Sequence, residues 1–375
     1  KKMATFTEEI LSPELSHKKK SICIIFTGGT LGMEPDPVSG ALEVVPGFLT
    51  KQMAAMPELS NNEMPDYEII EFDPLLDSSD MSPTDWVKIA SCIEENYFNF
   101  DGFLVVSGTD TMAYLASALS FMLENLAKPV IVTGSQIPFG EVYNDARRNL
   151  IVSMIFACRE DFLEVCIYFH DRLLRGNRSQ KVNSFRVDAF DSPNFPRLAE
   201  VGVNITRRKD LALRVPRGPF RLHKEMNPNI IVIKLVPGFD DVTICDMIKQ
   251  SSNLRAIVLE MYGTGNAPSK RTGLLEAIQL AKGKGILVAA LTQCLTGAVI
   301  LGKYAVGDAL SSAGVISAGD MTTEACVTKI SYLLARTTLR EAEELLQVDL
   351  RGELTCTSEY ERNFFHPRSI LAPRL

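Results

Sequence analysis

FLVVSGTDTMAYLASALSFMLENLAKPVIVT, residues 103–133, is the stretch on which the fold reading rests. Four apolar residues, 103–106, end in the turn Ser107-Gly108-Thr109-Asp110-Thr111, which opens a run of small and large apolar residues reaching 126. Pro129 then starts a second short apolar run, 129–133. Short run, helix-length run and short run are the pattern of strand, crossover helix and parallel strand. The helix is predicted over residues 111–126 and, being apolar on most sides, is predicted buried.

The same alternation continues outward. Residues 22–26 and 165–169 read as strands, and 83–97 and 147–158 as helices. Ser82 before Pro83 is a helix start signal. A mostly parallel sheet flanked by helices on both faces follows. The pattern fails over residues 205–228, rich in Arg, Lys and Pro, where Pro216 and Pro219 break any helix. It resumes with strands at 230–235, 256–261 and 285–291 and helices at 274–282, 304–312, 324–335 and 340–346. The expected architecture is a two-domain α/β fold. It has a lead-in at 1–20, a larger N-terminal α/β domain at 21–204 and a linker at 205–228. A smaller C-terminal parallel α/β domain at 229–355 and a tail at 356–375 complete it.

Composition bounds the function. Of 375 residues, 46% are hydrophobic and 23% charged, as in ordinary soluble domains. The net charge of −7 disfavours a nucleic-acid partner. Eight cysteines occur without a CxxC pair, beside four histidines, so buried reduced thiols are expected rather than a zinc cluster. No apolar leader core precedes the first strand and no apolar run is long enough to span a bilayer. The expectation is a cytoplasmic protein without a membrane partner.

A second strand-end turn, Thr27-Gly28-Gly29-Thr30, follows the first strand. In an open α/β sheet, ligands bind where strands end. The glycines let the backbone turn sharply and approach a ligand, yet neither GxxxxGK[ST] nor GxGxxG is met here. Asp110 and Thr111 stand at a helix start, where either can simply cap. A hydroxyl there can also act beside backbone N–H groups that face a developing oxyanion. Asp77-Ser78-Ser79-Asp80 reads either as a capped polar turn or as a cradle for a carboxylate. Arg172, Arg175, Arg178 and Lys181 recur at every third position, as a solvated charged strip would. A lysine withdrawn from water beside a threonine can instead take its proton.

Taken together these motifs resemble the type I, cytosolic-type L-asparaginases. The resemblance is carried by TGGTLGM (27–33), LLDSSDM (75–81), the block at 107–138 and LLRGNRSQK (173–181). It continues through YGTGNAP (262–268), LTQCLTG (291–297), GDMTTEA (319–325) and LRGELT (350–355). It implies a two-domain amidohydrolase converting L-asparagine and water to L-aspartate and ammonia, without metal or organic cofactor. It also implies a homodimer or homotetramer with sites between subunits. Matching motifs make Thr30 the nucleophile and Thr109 with Lys181 the proton-handling pair, Asp110 beside them. Asp77, Ser78, Ser79 and Asp110 would grip the substrate's α-amino and α-carboxylate groups, with Thr109 also serving the attacking water. From a neighbouring subunit come Asn266 and Tyr304. Two departures stand out. The expected flap, residues 34–47, lacks the tyrosine many relatives carry. Some bacterial members hold a regulatory asparagine with an arginine, where this chain has Glu260, although Thr292 and Cys294 nearby still match. A broader glutaminase–asparaginase, an amidotransferase subunit and a non-catalytic asparagine sensor are the alternatives.

Overall fold

A computed structural model of the chain describes residues 19–355 except 37–38, 269–272 and 302–304. The cores of residues 19–228 with 322–335 and of residues 229–321 with 336–355 are separate units.

In the first unit, β1 (Ser21–Gly28) lies between β2 (Asp66–Leu76) and β3 (Gly102–Val106), parallel to both. The strands β4 (Val130–Thr133) and β5 (Val165–Phe169) extend the sheet in parallel. Three further strands, β6 (Arg172–Arg175), β7 (Ala199–Val201) and β8 (Ile205–Arg207), close that edge antiparallel. The eight-stranded order is β8-β7-β6-β5-β4-β3-β1-β2. The sheet is therefore mostly parallel with an antiparallel margin. That margin begins at His170 and Asp171, whose φ values of 43° and 64° make the tight reversal a two-residue hairpin needs. Histidine and aspartate adopt positive φ more readily than most residues, but without a glycine the pair is a weak turn signal in the sequence.

Successive residues of β1 serve opposite faces, as a pleated strand requires. Ile22, Ile24 and Phe26 pack with α1 (Phe48–Ala54) and α4 (Ala146–Ala157), while Cys23 and Ile25 pack with α2 (Pro83–Asn96) and α3 (Met112–Met122). Each fully buried Ile or Phe contributes about 1.5–3 kcal/mol. Ser82 starts α2 as expected: its N–H and hydroxyl both donate to the Asp85 carboxylate, at 3.0 and 2.7 Å.

The α3 helix ends at Met122, short of the expected 126, because Leu123–Glu124 pairs antiparallel with Arg221–Leu222. The segment read as a linker is thus partly strand, at Ile205–Arg207 and Arg221–Leu222. The helix Thr323–Leu334, read from sequence with the later domain, packs within the first unit. The other unit has four parallel strands, β9 (Ile230–Lys234), β10 (Ala256–Met261), β11 (Leu287–Thr292) and β12 (Val315–Ser317), in chain order. Helix Asp241–Gln250 and strand Val315–Ser317 there escape the sequence reading.

Cys23, Cys166 and Cys326 are buried, and burial pushes the Cys23 and Cys326 thiols up to about 12. Cys294 is exposed, against the expectation of buried thiols, and Cys356 lies outside the described residues. Among the described residues, no helix is long and apolar enough to cross a membrane.

Ser117, in the middle of α3, is fully buried, and among the described residues its hydroxyl has no hydrogen-bond partner. A buried hydroxyl without a partner costs its desolvation and returns nothing. Ser117→Ala also improves helix propensity. It is expected to raise the melting temperature by about 2–4 °C, corresponding to about 1 kcal/mol. An unchanged or lower value in a calorimetric scan counts against this account.

Candidate active site

Parallel register brings four strand ends to one edge of the sheet. Gly28 pairs with Leu76, Phe26 with Val106, and Val106 with Thr133. The turns that follow β1, β2, β3 and β4 therefore lie side by side, and they pack backbone to backbone. A methyl group added at Gly29 would stand 2.3 Å from the Gly108 nitrogen. One added at Gly28 would stand 2.2 Å from the Leu76 oxygen, and one at Gly108 2.4 Å from the Ser78 hydroxyl. Gly28 and Gly29 also have φ of 121° and 89°, conformations that side chains resist. These glycines exist here for contact between turns.

Thr27 and Thr30 do different jobs. Thr27 is buried and donates to the Val106 carbonyl at 3.2 Å, tying the first turn to the second. Thr30 begins a short 3-10 turn and is half-buried, and among the described residues none hydrogen-bonds its hydroxyl. Thr109 is 6% exposed. Its hydroxyl accepts from Lys181 Nζ at 2.9 Å and donates to Gln136 Oε1 at 3.1 Å. Lys181 Nζ also reaches Asp110 Oδ1 at 2.6 Å, and its side chain is 17% exposed. Lys181 sits in a short antiparallel pair, Gln180–Lys181 with Phe190–Asp191.

Neither Asp110 nor Thr111 caps α3: the carboxylate pairs with Lys181, and the Thr111 hydroxyl donates to the Ser78 carbonyl at 2.7 Å. Asp77 does hold its own turn, accepting from the Ser79 N–H at 2.9 Å and hydroxyl at 3.0 Å. Ser78 is buried while Asp77 and Ser79 are exposed. The periodic arginines are not a solvated strip. Arg175 and Arg178 are buried, and Arg175 forks onto the buried Glu164.

The structure brings Thr109, Asp110 and Lys181 into direct contact and sets the turns carrying Thr30 and Ser78 against them. Asn266 belongs to the other unit, in a tight loop closed by Tyr262–Asn266 backbone bonds of 3.0 and 2.8 Å. Tyr304 lies outside the described residues. At the expected flap, Met33–Pro35 pairs antiparallel with Leu42–Val44. Glu260 lies on β10 in register with Lys234 and Leu291. Sequence reasoning missed Gln136, which touches Thr109. The signal existed: Gln136 follows a fourth strand end, β4, inside the block quoted for the resemblance.

The family model described as Asparaginase, N-terminal, matches residues 21–212, and that described as Glutaminase/Asparaginase C-terminal domain matches residues 229–346. L-asparaginase 1 of Escherichia coli strain K12 is 45% identical over 347 residues, covering 90% of this chain and 99% of that protein. The human 60 kDa lysophospholipase is 38% identical over 365 residues, covering 92% of this chain and 63% of its own length. The crystal structure of L-asparaginase I from Vibrio cholerae is 44% identical with a TM-score of 0.83, covering 90% of this chain and all of that one.

Proposed function

The chain belongs to the asparaginase family, and we propose that it hydrolyses the side-chain amide of L-asparagine, giving L-aspartate and ammonia. The observation that carries the reading is the Lys181–Thr109–Asp110 cluster, at 2.9 and 2.6 Å, packed against the turn that presents Thr30.

Thr30 is the nucleophile. Its oxygen bonds to the amide carbon while its proton passes to the Thr109–Lys181 pair. The proton then goes to the departing nitrogen, which leaves as ammonia. Water, activated by the same pair, cleaves the acyl-threonine and returns the proton to Thr30. An alcohol needs such an oriented base near neutral pH, an arrangement that contributes about 10²–10⁴-fold. Asp77, Ser78, Ser79 and Asp110 hold the substrate's α-groups and so place the amide within attack distance. Asn266 and Tyr304 of a neighbouring subunit complete the pocket in a homodimer or homotetramer, and the enzyme works in the cytoplasm. Light scattering checks the assembly: an active monomer rules out the intersubunit assignments.

The test of the activity is ammonia release from L-asparagine and from L-glutamine. Fast asparagine turnover with little from glutamine supports the reading. Comparable glutamine turnover makes the protein a broader amidase, because one added methylene alters discrimination by only about 1–3 kcal/mol in a simple pocket. Binding of asparagine without turnover makes it a sensor.

Glu260 also bears on regulation. A carboxylate repels the ligand carboxylate that an arginine would hold. Rate against asparagine concentration is expected to be hyperbolic. Sigmoidal kinetics relieved by Glu260→Ala would refute this.

A further inference from the structure

We infer that Asp145 is a positioning residue that acts on Thr109 through the turn after β4. The inference rests on the proposed role of Thr109 in proton transfer.

Asp145 immediately precedes α4 and occupies the position where an aspartate usually caps the helix. Its carboxylate does not do so. It turns back and takes the backbone N–H of Gln136 on both oxygens, at 3.2 and 3.1 Å, and that of Ile137 on Oδ1 at 3.1 Å. One helical turn on, Asn149 donates to Asp145 Oδ2 at 3.1 Å and to the Gly134 carbonyl at 3.0 Å. Asn149 Oδ1 in turn accepts the His170 N–H at 3.2 Å. The turn at 134–137 is therefore clamped from the start of α4, at three of its backbone groups.

What the clamp holds is the Gln136 side chain. Its amide has two ends, and both are used. Nε2 donates to the Arg186 carbonyl at 3.2 Å, so Oε1 is the end left facing Thr109, whose hydroxyl donates to it at 3.1 Å. The Thr109 proton thus points at Gln136 while a lone pair of its oxygen points at Lys181. A hydroxyl has one proton, so fixing that proton fixes the oxygen's remaining acceptor direction. Arg186 and Lys181 belong to the same chain reversal between Gln180 and Asp191, so a closed ring of contacts joins Gln136, Thr109 and Lys181. Asp145 touches no reacting atom in this scheme. It sets the backbone from which Gln136 reaches.

An asparagine at 145 would offer one acceptor oxygen and would turn an NH₂ group toward backbone donors. Asp145→Asn is therefore not conservative here. It is expected to lower kcat for asparagine about 10- to 100-fold, the scale of a misplaced catalytic contact. KM should move less than about threefold, since the hydrogen bonds of Asp145 go to Gln136, Ile137 and Asn149 and not to the groups proposed to hold the substrate.

The experiment is a double-mutant cycle of Asp145→Asn and Gln136→Leu on the full-length protein, read as kcat and KM with melting temperatures alongside. If Asp145 works through Gln136, the double variant has a kcat within about threefold of Gln136→Leu alone. Losses that multiply, or a kcat for Asp145→Asn within twofold of the unaltered protein, overturn the inference. Should Asp145→Asn fail to fold, Asn149→Ala removes one donor to the same carboxylate. It is carried through the same cycle with an expected loss of about three- to tenfold. An unaltered protein that turns over neither asparagine nor glutamine overturns the functional reading first and this inference with it. An active protein with a multiplicative cycle overturns this inference alone.

Discussion

Thr30→Ala is expected to release ammonia from L-asparagine at least about 10⁴-fold more slowly than the unaltered protein, since loss of a nucleophile removes the covalent path altogether. The fold should not suffer. Among the described residues nothing hydrogen-bonds the Thr30 hydroxyl, while its neighbour Thr27 carries the structural bond to Val106. The melting temperature should therefore stay within about 2 °C, the effect of a surface-type change. Thr30→Ser keeps an oxygen at the same place and should retain part of the rate. Lys181→Met provides the second arm. It removes the side-chain nitrogen that touches Thr109 at 2.9 Å and Asp110 at 2.6 Å, and its kcat should drop by about 10²–10⁴-fold. Substantial turnover by Thr30→Ala, with the protein folded, places the nucleophile elsewhere. The same result for Lys181→Met removes the lysine from proton transfer.

Glu164→Ala is expected to destabilise the first unit by about 3–5 kcal/mol, because it leaves a buried guanidinium uncompensated. Glu164 and Arg175 are 3% and 4% exposed. Arg175 Nε donates to Glu164 Oε2 at 2.5 Å and Nη2 to Oε1 at 3.3 Å. The pair also organises a segment with little regular structure. Leu213 N–H donates to Glu164 at 3.1 Å, and Arg175 Nη2 donates to the Leu211 carbonyl at 2.6 Å. The guanidinium stacks over Phe195 at 4.4 Å. Truncating the acid therefore removes the carboxylate that neutralises the buried guanidinium and accepts a backbone N–H. The melting temperature should fall by roughly 6–20 °C. Replacing both partners with apolar residues, as in Glu164→Leu with Arg175→Met, should recover much of the loss, because no charge is then left buried. A Glu164→Ala protein that melts with the unaltered one would show that the pair adds nothing.

Much of this protein is legible in its sequence because the relevant signals are local. A strand ending in a glycine turn and leading into a helix is written in consecutive residues, as at 103–133. Apolar period and proline placement therefore foretell the parallel sheet and the start of α2 at Ser82. Elements that depend on distant partners are not written that way. The short strands Ala199–Val201 and Ile205–Arg207 have weak apolar character, and pairing with each other and with β6 makes them strands. The α3 helix stops at Met122 because residues 221–222 arrive to pair with 123–124. The reversal at His170–Asp171 holds two side-chain-bearing residues at positive φ, where Arg148 and Tyr168 donate to the Asp171 carboxylate and Asn149 accepts the His170 N–H.

The site divides along the same line. The residue types at 27–30, 77–80, 107–111 and 175–181, each at a recognisable turn, determine by themselves which side chains are candidates and which chemistry they suit. Only the tertiary structure decides what each does. Thr27 and Thr30 are equivalent in a string of letters, yet one is spent on the Val106 carbonyl while, among the described residues, none hydrogen-bonds the hydroxyl of the other. Arg175 and Lys181 look like members of one charged strip, yet one is buried against Glu164 and the other meets Thr109. Gln136 and Asp145 acquire roles through hydrogen bonds to residues far along the chain or through a turn. The reason is physical: a hydrogen bond or a buried charge is specified by both partners, and register between distant strands chooses the second one.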